Sequence, residues 1–199
     1  MITCYHGSPE LFNKFDLSKA GDGTGIKFGF GVYLTESEAS AVHYSQPRNL
    51  PPVKDHYLYT VEIPELNEDN HLVSAKPVHP AIIKRAETKL GHTIPQEMTQ
   101  QGKEFRKWLG MTLTGSEKVC LESEKAAAAF LDSIGVFCFI YPHPQRKTDA
   151  YDNWVDMGPK NFVVFDTKKV HILKVEHFEV KLKGGKYILV EGSRKEVKI

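Results

Sequence analysis

The chain has 199 residues, 41% hydrophobic and 26% charged, enough apolar material to bury the core of one domain or of one domain with a small extension. Lys and Arg number 26 against 25 Asp and Glu, a net charge of +1, which excludes the global basic field of a general nucleic-acid binder and leaves only local patches. Cys4, Cys120 and Cys138 are odd in number and widely spaced, with no Cys-x-x-Cys pair. That pattern argues against a disulfide framework and a zinc site, and for a reducing compartment.

The first residues carry neither a basic stretch nor an apolar run, and no segment approaches the roughly 18 apolar residues of a membrane helix, so a cytoplasmic protein without a membrane partner is expected. Residues 2–6 alternate and read as a first strand running into a Gly-Ser-Pro turn. Residues 9–27 are loop-like, with Gly21, Gly23 and Gly25 as breakers and Leu11, Phe12, Phe15 and Leu17 as anchors. Residues 30–34 read as a second strand. Thr35-Glu36-Ser37-Glu38 is a capping box that opens a helix through Ala39, Ala41, Val42 and Tyr44.

After a proline-containing break at 46–54, residues 56–63 alternate strongly, with Tyr57, Tyr59, Val61 and Ile63 on one face of a third strand. Residues 66–118 read as a mostly polar helical insertion (81–90, then 95–109) around Ile83, Phe105 and Trp108. The alanine-rich stretch 123–134 predicts a helix closed by Gly135. The apolar run 136–141 predicts a buried strand, and 142–158 a polar loop. Strands at 161–166 and 170–175 follow, then a hairpin of 178–182 and 187–190 across Lys183-Gly184-Gly185-Lys186. Strands at both ends with helices between imply an α+β domain over 1–175 with its insertion at 66–118, extended by the hairpin segment 176–199.

Three motifs carry chemistry when taken together: Tyr5-His6-Gly7-Ser8, Gly29-Phe30-Gly31-Val32-Tyr33, and Tyr44 eleven residues on. Singly, each has an ordinary structural reading as a strand end, a tight turn or a packing tyrosine. The glycine loop fits neither nucleotide fingerprint, because Gly23-Thr24-Gly25 lacks the third glycine of the dinucleotide motif and no Gly-Lys-Ser/Thr follows.

The set resembles the ADP-ribosyltransferase fold of the branch typified by diphtheria toxin and the poly(ADP-ribose) polymerases. Tyr5-His6-Gly7-Ser8 resembles that family's first-strand His-Gly-Ser, Gly29-Phe30-Gly31-Val32-Tyr33-Leu34 its Gly-x-Gly-Ile-Tyr-Phe, and Ser40-Ala41-Val42-His43-Tyr44 its pocket helix. Lys160-Asn161-Phe162-Val163-Val164-Phe165-Asp166 resembles its late strand. The match is nearest to bacterial and phage domains of the polyvalent-protein type, over residues 1–64 and about 123–175.

The resemblance implies an α+β fold with a split mixed or antiparallel sheet and NAD as co-substrate, with no metal. It implies mono-ADP-ribosyl transfer to a protein, RNA or DNA acceptor, as a toxin, phage factor or defence effector, with an antitoxin or inhibitor protein as a further partner. It assigns His6 to the adenosine ribose hydroxyls, Gly7 and Ser8 to the nicotinamide amide, and Tyr33 and Tyr44 to its ring faces, with Phe30 and Gly31 in the same cofactor pocket. His6, Tyr33 and Asn161 are its catalytic positions.

Asn161 departs from the pattern, standing where poly(ADP-ribose) polymerases have glutamate. An amide accepts a ribose hydroxyl bond but brings no charge and is no base. Three readings stay open: a base from elsewhere, for which Asp149, Asp152 and Asp156 are candidates; an acceptor that needs little deprotonation; or inactivity. Activity with a single transfer is favoured. The rivals are NAD hydrolysis on the same fold and a non-catalytic NAD or ADP-ribose-binding module. RNA-phosphate transfer is disfavoured because no arginine lies near His6, Tyr33 or Asn161 in sequence.

For the acceptor, Lys181, Lys183, Lys186, Arg194, Lys195 and Lys198 with Phe178 and Tyr187 read either as a solvated hairpin face or as a nucleic-acid track. Lys84, Arg85, Lys103, Arg106 and Lys107 of the insertion read either as a cover over NAD or as an acceptor hold.

Overall fold

The computed structural model describes residues 1–20, 26–47, 50–141 and 158–199, and the chain is α+β with both parallel and antiparallel strand pairs. It divides into two compact units. The first holds Met1–Gly25, Tyr33–Glu65 and Thr167–Ile199; the second holds Ile26–Val32 and Leu66–Asp166.

In the first unit, β1 (Ile2–Ser8) lies between β2 (Val32–Thr35) and β3 (His56–Ile63), and β3 pairs in turn with β7 (His171–Phe178) and β7 with β10 (Lys195–Glu196), all antiparallel. The register sets Gly7 opposite Leu58 and His6 opposite Tyr59. Because side chains alternate along a strand, these two pairs face opposite sides of the sheet. Helix α1 (Glu38–Tyr44) covers the Gly7 side, burying Ala41 and Val42 against Leu58 and Phe178. The capping residue of α1 is Ser37, whose hydroxyl accepts from Ser40 N–H; Thr35 instead accepts from Ser37 N–H, so the cap sits two residues later than the capping box predicts.

On the other side of the sheet, residues 9–20 fold back as an ordered segment. Phe12 stacks on Tyr59 at 4.1 Å between ring centroids, while Leu11, expected as an anchor, is 45% exposed. The hairpin β8 (Val180–Lys183) and β9 (Lys186–Leu189) turns at Gly184-Gly185 as expected, but begins at Val180, since Phe178 ends β7, and Lys183 and Lys186 pair within it; it packs Val180 and Leu189 onto the α1 cluster.

In the second unit, β5 (Cys138–Tyr141) pairs parallel with β4 (His71–Val73) and antiparallel with β6 (Asn161–Val164). Helices α2 (Pro80–Leu90), α3 (Gly102–Thr114) and α4 (Leu121–Ser133) complete it. Gly135, at φ +84°, follows the end of α4 as expected of a residue that must turn the chain left-handed.

The segment 66–118 is not a polar surface insertion. Ile82, Ala86, Phe105 and Leu109 are fully buried, so α2 and α3 supply much of this unit's core, and Ile82 rather than Ile83 is the anchor. Strand β4, three residues long, gives no periodic signal of its own. Cys4, Cys120 and Cys138 are free thiols. Among the described residues no helix is long and apolar enough to cross a membrane.

Candidate functional site

The first unit brings His6, Gly7 and Ser8 to the end of β1 with Tyr33 on the neighbouring strand. His6 Nδ1–H donates to the Tyr33 carbonyl at 2.9 Å. This bond fixes the tautomer: with Nδ1 protonated and the ring neutral, Nε2 carries the lone pair. Around the imidazole stand Phe15 (5.2 Å), Phe12 (6.1 Å) and Tyr59 (6.1 Å), each meeting it edge to face. Burial among these rings holds the His6 pKa below its ordinary value, against the opposing pull of the Tyr33 carbonyl. The site therefore offers a neutral acceptor nitrogen and not an imidazolium.

Gly7 has a packing reason to be glycine. A Cβ built on it would lie 1.8 Å from the Ala41 carbonyl oxygen, so any side chain would drive α1 off the sheet. Ser8 is buried and its Oγ accepts from Glu10 N–H at 3.0 Å, which starts the fold-back of residues 9–20 while leaving the hydroxyl a proton to donate. Tyr44 closes α1, on the Gly7 side of β1 and so across the strand from the His6 ring; its own ring lies 5.2 Å from His43.

No family model matches the chain, and neither a curated protein nor a solved structure matches it.

Phe30, Gly31 and Asn161 belong to the second unit. The turn before them is tight, with Gly29 N–H donating to the Ile26 carbonyl at 3.0 Å, and β2 begins at Val32 rather than Phe30. Gly29, at φ +119°, has the Arg106 guanidinium 3.3 Å from where its Cβ would be, and a Cβ on Gly31 would lie 2.4 Å from the Val164 carbonyl oxygen. Both glycines are thus demanded by local approach. The Phe30 ring has the Lys125 ammonium 5.3 Å from its centroid. Asn161 opens β6 opposite Tyr141 and is 5% exposed. The candidate acids Asp149, Asp152 and Asp156, like Gly21, Gly23 and Gly25, lie outside the described residues. Among those described, no group of three His, Cys, Asp or Glu is placed to hold a metal ion.

Several residues matter that sequence reasoning passed over. Tyr59 ties the fold-back segment to β3: its hydroxyl accepts from Phe12 N–H at 2.7 Å and donates to the Glu10 carbonyl at 3.0 Å. Burial pushes its phenol up to about 12. Its place in a strong alternation was legible, but its hydroxyl partners, 47 and 49 residues away, were not.

Ser45 and His56 form a serine–histidine pair at 2.9 Å, and the Ser45 hydroxyl spends its one proton on the Val42 carbonyl at 2.7 Å. Both side chains are buried, so the pair fastens the end of α1 to β3 rather than presenting a nucleophile.

Arg106, expected at a surface, is 1% exposed and ion-paired with Glu124 across α3 and α4, with its guanidinium 5.0 Å over the Phe139 ring. It is not available to an acceptor. Arg85 bonds Asp69, and Arg194 is held by Glu38 on α1 with Glu176 3.7 Å away. Phe178, offered as a stacking aromatic, is fully buried.

Proposed function

We propose that this chain is an NAD-dependent mono-ADP-ribosyltransferase built on an ADP-ribosyltransferase-like α+β fold, acting on a macromolecular acceptor. The observation that carries the reading is the His6–Tyr33 bond. It holds a neutral imidazole with an unprotonated Nε2 at the end of the strand that bears the His-Gly-Ser sequence, which suits acceptance of a ribose hydroxyl. Gly7 and Ser8 follow directly on the same strand end, Tyr33 lies on the neighbouring strand β2, and Tyr44 ends α1, the helix that covers the Gly7 side of β1.

In the reaction the bond between ribose C1′ and the nicotinamide nitrogen breaks, its electron pair leaves with nicotinamide, and the acceptor nucleophile attacks C1′ and gives up its proton. Nicotinamide is a good leaving group because it departs as a neutral molecule and so relieves the positive charge of its ring, and binding and orientation supply most of what is required. The resemblance puts Asn161 at the late-strand position, and an amide there can accept a hydrogen bond but cannot deprotonate an acceptor, which favours one transfer over chain growth.

The test is incubation of the purified chain with adenylate-labelled NAD and a cell extract, followed by separate protease and nuclease digestion and by measurement of free nicotinamide. Label in one macromolecular fraction is expected. His6→Gln should lower the rate about tenfold, the worth of one hydrogen bond to ribose, and Tyr44→Ala by a similar factor through one lost ring contact. Nicotinamide release with no labelled macromolecule would make the chain an NAD hydrolase. NAD binding without turnover would make it a binding module.

A further inference from the structure

Four rings close on one another on the His6 side of β1. His6, Phe12, Phe15 and Tyr59 lie 4.1 to 6.1 Å apart, centroid to centroid, in every pairing. Two of them come from paired strands, since His6 of β1 stands opposite Tyr59 of β3. The other two come from residues 9–20, a segment with no strand of its own and no helix beyond the single turn Leu17–Lys19. Such a segment holds its rings in place only where its backbone is tied down.

The ties converge on Glu10 and Tyr59. Glu10 N–H donates to the Ser8 hydroxyl oxygen, its carbonyl accepts from the Tyr59 hydroxyl, and its carboxylate pairs with Lys19, each at 3.0 Å. Two residues on, Phe12 N–H donates to the same Tyr59 oxygen at 2.7 Å, and the Phe12 ring lies within 8° of parallel to the Tyr59 ring. Tyr59 is itself fully buried. One phenol thus serves a donor and an acceptor of the segment's backbone, and with them fixes where Phe12 and Phe15 stand. Phe15 then meets His6 edge-on at 84°.

The imidazole depends on that support. Its bond to the Tyr33 carbonyl sets the tautomer, while the surrounding rings set the burial, and burial is the larger influence on its protonation. Among the described residues the Tyr33 carbonyl is its one polar partner. The charged groups on residues 9–20 are Glu10, Lys14, Asp16 and Lys19; Glu10 and Lys19 answer each other, and Asp16 accepts from Ser18 N–H at 2.8 Å, which holds its carboxyl below the usual range. β3 adds the Tyr57 and Tyr59 phenols on the same face, and β2 that of Tyr33.

We infer that Tyr59 is a positioning residue of the proposed NAD site, acting through Phe12 and Phe15 to hold the His6 imidazole where its Nε2 meets the substrate. Its own proton goes to the Glu10 carbonyl, and burial pushes its phenol up to about 12, so it is neither a donor to substrate nor a base at neutral pH. The role in turnover rests on the transferase reading; the hold on His6 does not.

The variant Tyr59→Phe keeps the ring stack and removes both hydrogen bonds, and two measurements on the full chain read the result. Histidine NMR titration, with His6→Gln assigning the His6 signal, needs no substrate. The wild-type His6 pKa is expected below 6.5, and Tyr59→Phe should raise it by about 0.5 or more towards that value. Phe15→Leu, which opens the ring cluster with Tyr59 intact, should move it in the same direction. Tyr57→Phe, a hydroxyl lost two residues along the same strand, should leave it in place. Nicotinamide release from NAD against pH is the second measurement. In Tyr59→Phe the acid limb of kcat/KM should move up with the His6 pKa, and KM should rise about threefold with kcat nearly unchanged, as befits a ribose contact made equally in ground and transition states.

An unmoved His6 titration in Tyr59→Phe, or a fall in kcat at constant KM and acid limb, would overturn the inference, because a merely structural role lowers only the active fraction. If His6 shifts as expected but the wild type releases no nicotinamide, the hold of Tyr59 on His6 stands and the transferase reading falls. If the wild type releases nicotinamide and Tyr59→Phe matches its KM and acid limb, the transferase reading stands and the positioning role falls.

Discussion

His6 in the first unit and Arg106 in the second face the same problem, a basic side chain removed from water, and resolve it in opposite ways. His6 sheds its charge: ringed by Phe12, Phe15 and Tyr59, it stays neutral and meets one carbonyl. Arg106 cannot shed a proton at any ordinary pH, so its charge is answered by a second buried charge, Glu124, and by the face of Phe139. The first solution leaves a nitrogen lone pair able to meet a ligand. The second turns its charge inward, onto Glu124 and the Phe139 face, which is why the arginine that sequence reasoning offered to an acceptor serves the core.

The largest test of the contrast is to break the ion pair. Arg106→Met leaves Glu124 buried and unanswered and should lower the unfolding free energy by about 3–5 kcal/mol, read from urea denaturation, whereas Arg106→Met/Glu124→Leu should recover most of that loss. Equal losses in the single and double variants would mean that shape, and not charge, is what the pair supplies.

A smaller effect is expected from Tyr59→Phe. It removes a hydroxyl that serves both Phe12 N–H and the Glu10 carbonyl while sparing the stacked ring, and should cost about 1–2 kcal/mol. Limited proteolysis should then cut within residues 9–20 before anywhere else in the first unit. Cutting no faster than wild type would show that the aromatic stack alone holds the segment.

The smallest effect is the pH dependence of His6. Above a pH of about 6.5 the imidazole is neutral in both folded and unfolded chains and stability is at its full value. Below it the unfolded chain takes up a proton that the folded one resists, so stability falls as the pH drops from there towards the lowered folded pKa. His56 and His71, also depressed by burial, add to the same slope. His6→Gln should flatten part of it in urea midpoints measured between pH 7 and pH 5. An unchanged slope would place the sensitivity in His56 and His71 and weaken the view of His6 as a buried neutral base.

Strong local signals were legible and long-range ones were not. The strand at 56–63 reads directly from its alternation and matches the structure residue for residue, and the glycine pair of the last hairpin reads equally well. The capping box at 35–38 named the right helix but the wrong cap, since Thr35 and Ser37 both offer a hydroxyl and only the path of β2 decides between them. Residues 66–118 misled because their apolar positions are sparse and interrupted by prolines and glycines. Ile82, Ala86, Phe105 and Leu109 became core because neighbouring helices and strands of the same unit cover them.

The sequence alone determined the α+β character of the chain, most of its strands, and the His-Gly-Ser, glycine and tyrosine motifs, because periodicity and turn chemistry are properties of neighbouring residues. Only the tertiary structure decided that His6 is neutral with its Nε2 lone pair available, that Gly7 is glycine because α1 presses on it, and that Arg106 belongs to the core. It likewise withdrew Arg194 and Phe178 from the basic track that the sequence offered. Burial and partner choice depend on residues distant in sequence, and no local pattern encodes them.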